Sequence, residues 1–148
     1  MPIEPARLTG KVDWLELSVV QYQYPTITVE PYDSNWLIIH ARSGCASGTW
    51  EASDACLLTY ELRYLTDWLE TFGDTASDDW LEFLEPALAF RAVEGALEAR
   101  LDYEFAPPWA QASREPQILS FARDSATVSA AATALRAHML AFPQRPAR

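Results

Sequence analysis

Positive charge, glycine and cysteine are all scarce in this chain of 148 residues. Eleven lysines and arginines face 21 aspartates and glutamates, a net charge of −10. A nucleic-acid binder needs cations to displace phosphate counterions, so the balance does not fit that class. Five glycines form no Gly-rich phosphate loop. No apolar run approaches the roughly 18 residues of a membrane span. The opening M-P-I-E-P-A-R lacks the apolar centre of a secretory signal. A soluble, cytoplasmic protein with no membrane partner is therefore expected. Cys45, Cys56, His40 and His138 are too scattered for a zinc pattern, and no metal or cofactor is expected. The two cysteines flank an expected hairpin. Without an export signal, two free buried thiols are expected rather than a disulfide.

Apolar residues make up 49% of the chain, and its length suits one domain, 1–148, whose core needs no staples. Residues 12–24 alternate, with Leu15, Leu17 and Val19 on one face and Glu16 and Ser18 on the other. That period predicts a strand. In 35–42, Leu37, Ile39 and Ala41 oppose Trp36 and Ile38, predicting a strand covered on both sides. A turn over Ser43–Gly48 and a short returning strand, 49–53, follow.

Leu58, Leu62, Leu65, Leu69 and Phe72 recur at steps of four and three, which predicts a helix over about 59–72. Thr59 is its expected N-cap and Gly73 its stop, with Arg63 able to pair with Asp67. Glu61 lies near the seam and is expected to be partly buried. Tyr60, Tyr64 and Trp68 form a second stripe, which either packs under another element or serves as an aromatic ledge for a partner.

The stretch D-D-W-L-E-F-L-E-P (78–86) fits a short helix or a strand by periodicity alone. The alternation that follows favours a strand, with Leu81 and Phe83 inward. On a strand Glu82 and Glu85 diverge, which removes the simplest acid pair. Residues 97–105 alternate without a break, placing Leu97, Ala99, Leu101, Tyr103 and Phe105 inward, and Glu94-Gly95 reads as a hairpin turn. A last strand, 117–122, precedes a helix over about 125–142, capped by Asp124 or Ser125, with Val128, Ala131, Leu135, Met139 and Phe142 buried. The tail 144–148 is expected to fray. The fold class is α+β: an antiparallel sheet of about seven strands with one mid-chain and one C-terminal helix.

No serine sits in a nucleophile elbow. His40 reads as a packed core histidine and His138 as exposed at a helix edge. A hydrolase with an inter-strand carboxylate pair drawn from Asp33, Asp54, Glu82 and Glu85 stays open. So does a carbohydrate-binding β-module built on the six tryptophans. No catalytic residue is assigned.

Several stretches together resemble the WapI-family immunity proteins. They are Y-Q-Y-P (22–25), D-S-N-W-L (33–37), T-W-E-A-S-D-A-C-L-L-T-Y-E-L (49–62), Trp68-Leu69, L-E-F-L-E-P-A-L-A-F (81–90) and F-P-Q-R (142–145). The resemblance implies a non-enzymatic antitoxin that binds the C-terminal domain of a YD-repeat, contact-dependent toxin, often a nuclease. A basic nuclease site would attract an acidic protein. The expected partner-binding residues are Glu51, Asp54, Tyr60, Tyr64, Trp68, Asp74, Asp78 and Asp79.

Overall fold

The computed structural model describes residues 2–71, 79–110 and 115–146. Seven strands form two antiparallel sheets. The four-stranded sheet runs β1 (Ala6–Thr9), β2 (Trp14–Tyr22), β3 (Trp36–Cys45), β4 (Gly48–Leu58) in order of sequence. The three-stranded sheet runs β5 (Leu88–Val93), β6 (Ala96–Leu101), β7 (Gln117–Ala122). Helix α1 (Thr59–Glu70) follows β4 directly, and α2 (Ser125–Ala141) follows β7. The α+β class and the two helix positions agree with the sequence reading. The strands divide between two sheets.

The alternation in β2 sorts as expected, with Leu15, Leu17 and Val19 buried. Their neighbours in register are Leu8, Ala6, Ala41 and Ile39, all inward. The four-residue β1 has no counterpart in the expectations, because Pro5 and Gly10 leave too short a run to show a period. Residues 78–86 hold no full strand among the described positions. A single bridge joins Leu81 to Phe90, and Pro86 precedes the chain's entry into β5. Leu81 and Phe83 still pack against the core. Strand β6 stops at Leu101, and a 3-10 turn, Tyr103–Phe105, replaces the expected continuation. Phe105 is buried, but Tyr103 adopts φ 51° and is 61% exposed. The two-residue link between Val93 and Ala96 is the expected hairpin turn, and Gly95 takes the positive φ of 77° that this link requires.

The N-cap of α1 is Leu58, not Thr59. The Thr59 hydroxyl is engaged with Asn35 Oδ1 at 2.7 Å. Capping falls to Glu61, whose carboxylate accepts Leu58 N–H at 3.0 Å and Leu84 N–H at 2.9 Å. This explains why an acid can be buried here: both of its oxygens are paired. Asp67 pairs with Arg136 of α2 at 2.6 Å rather than with Arg63, and Arg136 also meets Glu70. Gly73 and Phe72 lie outside the described residues. Asp124 caps α2 through Thr127 N–H at 3.1 Å. Helix α2 packs on α1 and on β1, and both helices and both sheets contribute to one apolar cluster.

Both histidine expectations are overturned. His138 is buried: its Nδ1 accepts Val19 N–H at 3.3 Å and its Nε2 lies 3.1 Å from the Glu4 carbonyl. His40 faces outward on β3 and bridges Ser53 Oγ (2.7 Å) and Glu51 (2.9 Å). Of the segment expected to fray, 144–148, the last two residues lie outside the described ones; Arg145 is anchored. Its guanidinium donates to the carbonyls of Ser34, Pro25 and Tyr24 and covers the Tyr22 ring at 3.5 Å. No helix among the described residues is long and apolar enough to cross a membrane.

Candidate functional site

The expected partner-binding residues occupy three different environments. Glu51 lies on the outward face of β4, within a charge ladder that crosses all four strands. Arg7 reaches Glu16 at 2.8 Å, Glu16 reaches Arg42 at 3.0 Å, and Arg42 lies 3.8 Å from Glu51. Each step joins residues opposite one another in register. Trp14 lies beneath the two guanidiniums, 4.8 Å from Arg7 and 5.8 Å from Arg42. The indole crosses Gly44, where a Cβ would stand 2.1 Å from its nitrogen, so only glycine admits it. The three-stranded sheet repeats the device. Trp80 is flanked by Arg91 (4.4 Å) and Arg100 (4.8 Å), which pair with Glu98 and Glu82.

Asp54 shares the inner face of β4 with Trp50 and Cys56. It is half-buried at the sheet's edge. Burial raises its carboxyl pKa, the charges of Glu104 and Glu85 raise it further, and the Ala55 N–H opposes them. The Cys56 thiol is pushed up by its burial and by Asp54 and Glu61, which makes it an inert packing group. Both cysteines are free; Cys56 is buried and Cys45 half-buried.

The aromatic stripe on α1 divides. Trp68 turns inward, its ring 6.2 Å from that of Phe90. Tyr64 is 55% exposed beneath the Arg63 guanidinium at 5.6 Å. Tyr60 is half-buried, and its hydroxyl pKa is raised by burial and then by Tyr32 and Glu61. Asp79 is exposed, and Asp74 and Asp78 lie outside the described residues.

Of the four carboxylates considered for a hydrolase, Glu85 acts on Asp54, whose carboxyl pKa its charge helps to raise. Glu82 is paired with Arg100 at 2.9 Å, and Asp33 lies in a loop where its N–H is held by Glu30. Glu85 and Glu104 stand on open surface. Three open clefts of about 430, 370 and 320 Å³ each carry one carboxylate at most. The first lies between the β1–β2 turn and β7, the second along α2 beside Arg63, and the third around Trp14 and Glu51. Among the described residues no three His, Cys, Asp or Glu side chains group as metal ligands.

Sequence reasoning missed Glu104, whose charge acts on Asp54, and the exposed Tyr103, Leu84 and Trp109, the first two adjoining Glu104 and Glu85 and the third packed on Trp50. The unbroken alternation of 97–105 conceals the turn that presents Tyr103 and Glu104. The one signal was Asp102 ahead of an aromatic and two prolines; its carboxylate accepts Tyr103 N–H at 2.9 Å and starts the turn.

No curated protein and no solved structure matches the chain. The model of one family, described as immunity protein WapI-like, matches residues 7–143. That span takes in all but the first residue of the seven strands, together with both helices, the two charge ladders and the acidic edge around Asp54. The chain belongs to the immunity protein WapI-like family.

Proposed function

We propose that the protein is a non-enzymatic immunity protein that binds a cognate toxin's C-terminal domain and blocks it in the cytoplasm of the bacterium that makes it. The toxin is a nuclease with a basic substrate groove. The family match carries the immunity role. The net charge of −10 supports the basic partner, because acid excess steers an acidic protein onto a phosphate-binding groove. Exposed aromatic side chains supply anchors for the centre of such a contact. Of the residues expected for this role, Asp54, Tyr60 and Tyr64 retain accessible surface, Glu51 is shared with the ladder, and Trp68 is committed to packing.

Co-expression with the C-terminal domain encoded by the adjacent gene tests this reading. Growth is expected to be rescued and the two chains to co-purify. Affinity is expected to fall steeply between about 50 mM and about 300 mM salt, as screening of a charged interface requires. A domain that stays toxic and passes through without co-purifying would discard the proposal.

A further inference from the structure

One stretch of surface combines exposed apolar groups with carboxylates that no arginine among the described residues answers. Leu84 is 67% exposed, Tyr103 61% and Trp109 47%. Each is mounted on something rigid. The Leu84 N–H is fixed by Glu61, which also caps α1. Tyr103 is turned outward by its left-handed backbone, and the 3-10 turn is pinned by buried Phe105 and by the Asp102 N–H bond to the Ala87 carbonyl at 3.0 Å. Trp109 stands edge-on to Trp50, ring centres 5.3 Å apart, and the Trp50 indole donates to the Phe105 carbonyl at 2.8 Å. Side chains held this way lose little freedom on binding.

The acids are placed by their neighbours: Glu85 follows Leu84, Glu104 follows Tyr103 in the turn that Trp50 and Trp109 pack on, and the charges of both act on Asp54. The arginines among the described residues are committed elsewhere. Arg7 and Arg42 serve one outward face, Arg91 and Arg100 the other, Arg136 joins the helices and Arg145 covers Tyr22. Arg63 lies over Tyr64, and Arg123 donates to the Val93 carbonyl.

We infer that this belt, Leu84, Tyr103 and Trp109 around Asp54, Glu85 and Glu104, is the face that docks the toxin domain. The partner presents lysines or arginines there around an apolar recess. The inference rests on the immunity reading and adds the face to it. Charge complementarity selects the occupant. A second copy of this chain would bring like charges together at the belt, and an acidic or nucleic-acid partner would be repelled.

The test uses the full chain and the adjacent-encoded toxin domain, disarmed by mutation, with affinity read by calorimetry. The double variant Tyr103→Ala/Trp109→Ala is expected to weaken binding about 30-fold or more, the loss of two aromatic anchors. Glu85→Lys/Glu104→Lys, at exposed positions that should not disturb folding, is expected to weaken it about tenfold and to flatten its salt dependence. Leu140→Ser, on an 85% exposed residue of α2, is expected to bind as the parent does. Thermal melting of each variant checks that the fold is retained. If the parent binds and both belt variants bind within about twofold of it, the belt is wrong and the immunity reading stands. The belt is equally wrong if Tyr60→Ala/Tyr64→Ala abolishes binding while the belt variants do not. If the parent itself fails to bind, the immunity reading falls and takes the belt with it.

Discussion

Glu51 and Asp54 are three residues apart on β4 and meet opposite electrostatic surroundings. Glu51 points outward, where His40 and Arg42 meet it. Asp54 points inward at the rim of the sheet, where burial and two further carboxylates act against its charge and a backbone N–H opposes them. The alternation of the strand makes this division. The outward face places opposite charges across each pair of strands, so its ladder is nearly neutral. The inner rim concentrates one sign. An inward-pointing charge on an edge strand also deters pairing with another chain's strand, and β4 is an edge strand. A partner would therefore meet this rim through side chains, not by adding a strand.

The largest effect should come from removing what holds the inner rim in place. Trp50 is buried, packs on Trp109 and donates to the Phe105 carbonyl. Trp50→Ala leaves a cavity and an unpaired carbonyl beneath the 3-10 turn. It should cost about 3–5 kcal/mol in denaturant unfolding. A loss below about 1 kcal/mol would mean that the turn is supported from elsewhere and that β4's inner face is not its foundation.

The two histidines extend the comparison, since His40 belongs to the outward ladder and His138 to the interior. Burial lowers the pKa of His138, with the Glu4 carbonyl pulling the other way. Its Nδ1 accepts the Val19 N–H, so the stabilising form is neutral. A histidine with a depressed folded-state pKa contributes fully above the unfolded value. That contribution is lost as pH falls below about 6.5 toward the folded value. The stability advantage of the parent over His138→Gln should therefore shrink between about pH 7.5 and about pH 5.5. Unfolding curves at the two pH values measure it. A constant difference would place the bond to Val19 outside the titration.

Much of this fold was legible because one face of each element meets a core. The period of β2, the leucine seam of α1 and the stripe of α2 all record burial on one side. What was hidden depends on neighbours distant in sequence. His138 lies next to a core position on α2. It is buried because α2 crosses β2 where the register shifts between Val19 and Gln21, leaving a backbone N–H for the ring to take. The alternation of 97–105 runs on past the end of β6 because Phe105 falls in phase with Leu101 by burial alone, though the backbone between them has left the sheet. At the candidate site, Asp54 and the α1 tyrosines were readable as acid and aromatic near loops. Trp68 was ambiguous until Phe90 was seen beside it. Glu85 and Glu104 come from segments about 30 and 50 residues further along the chain, and no local pattern brings them to Asp54.

The smallest effects should be the most discriminating, because the two faces of β4 predict opposite signs. Asp54→Asn keeps an acceptor for the Ala55 N–H and removes a charge that burial, Glu104 and Glu85 all disfavour. An acid whose folded-state pKa is raised binds more protons when folded. Its charge therefore lowers stability progressively as pH rises from the unfolded value of about 4 through the folded one. Asp54→Asn should stabilise the protein at neutral pH by less than about 1 kcal/mol, screening having reduced the gain, and should have little effect near pH 4. Glu51→Gln removes a partner of His40 and Arg42 and should be neutral or slightly destabilising, by about 0.5 kcal/mol at most, with the loss fading in salt. Paired thermal melts at low and high ionic strength separate the two. If Asp54 is held at a cost to stability because the rim binds a basic partner, Asp54→Asn should also weaken the toxin complex, a gain in one property against a loss in the other. A variant both less stable and equally tight would show that the Asp54 charge serves the fold and not the contact.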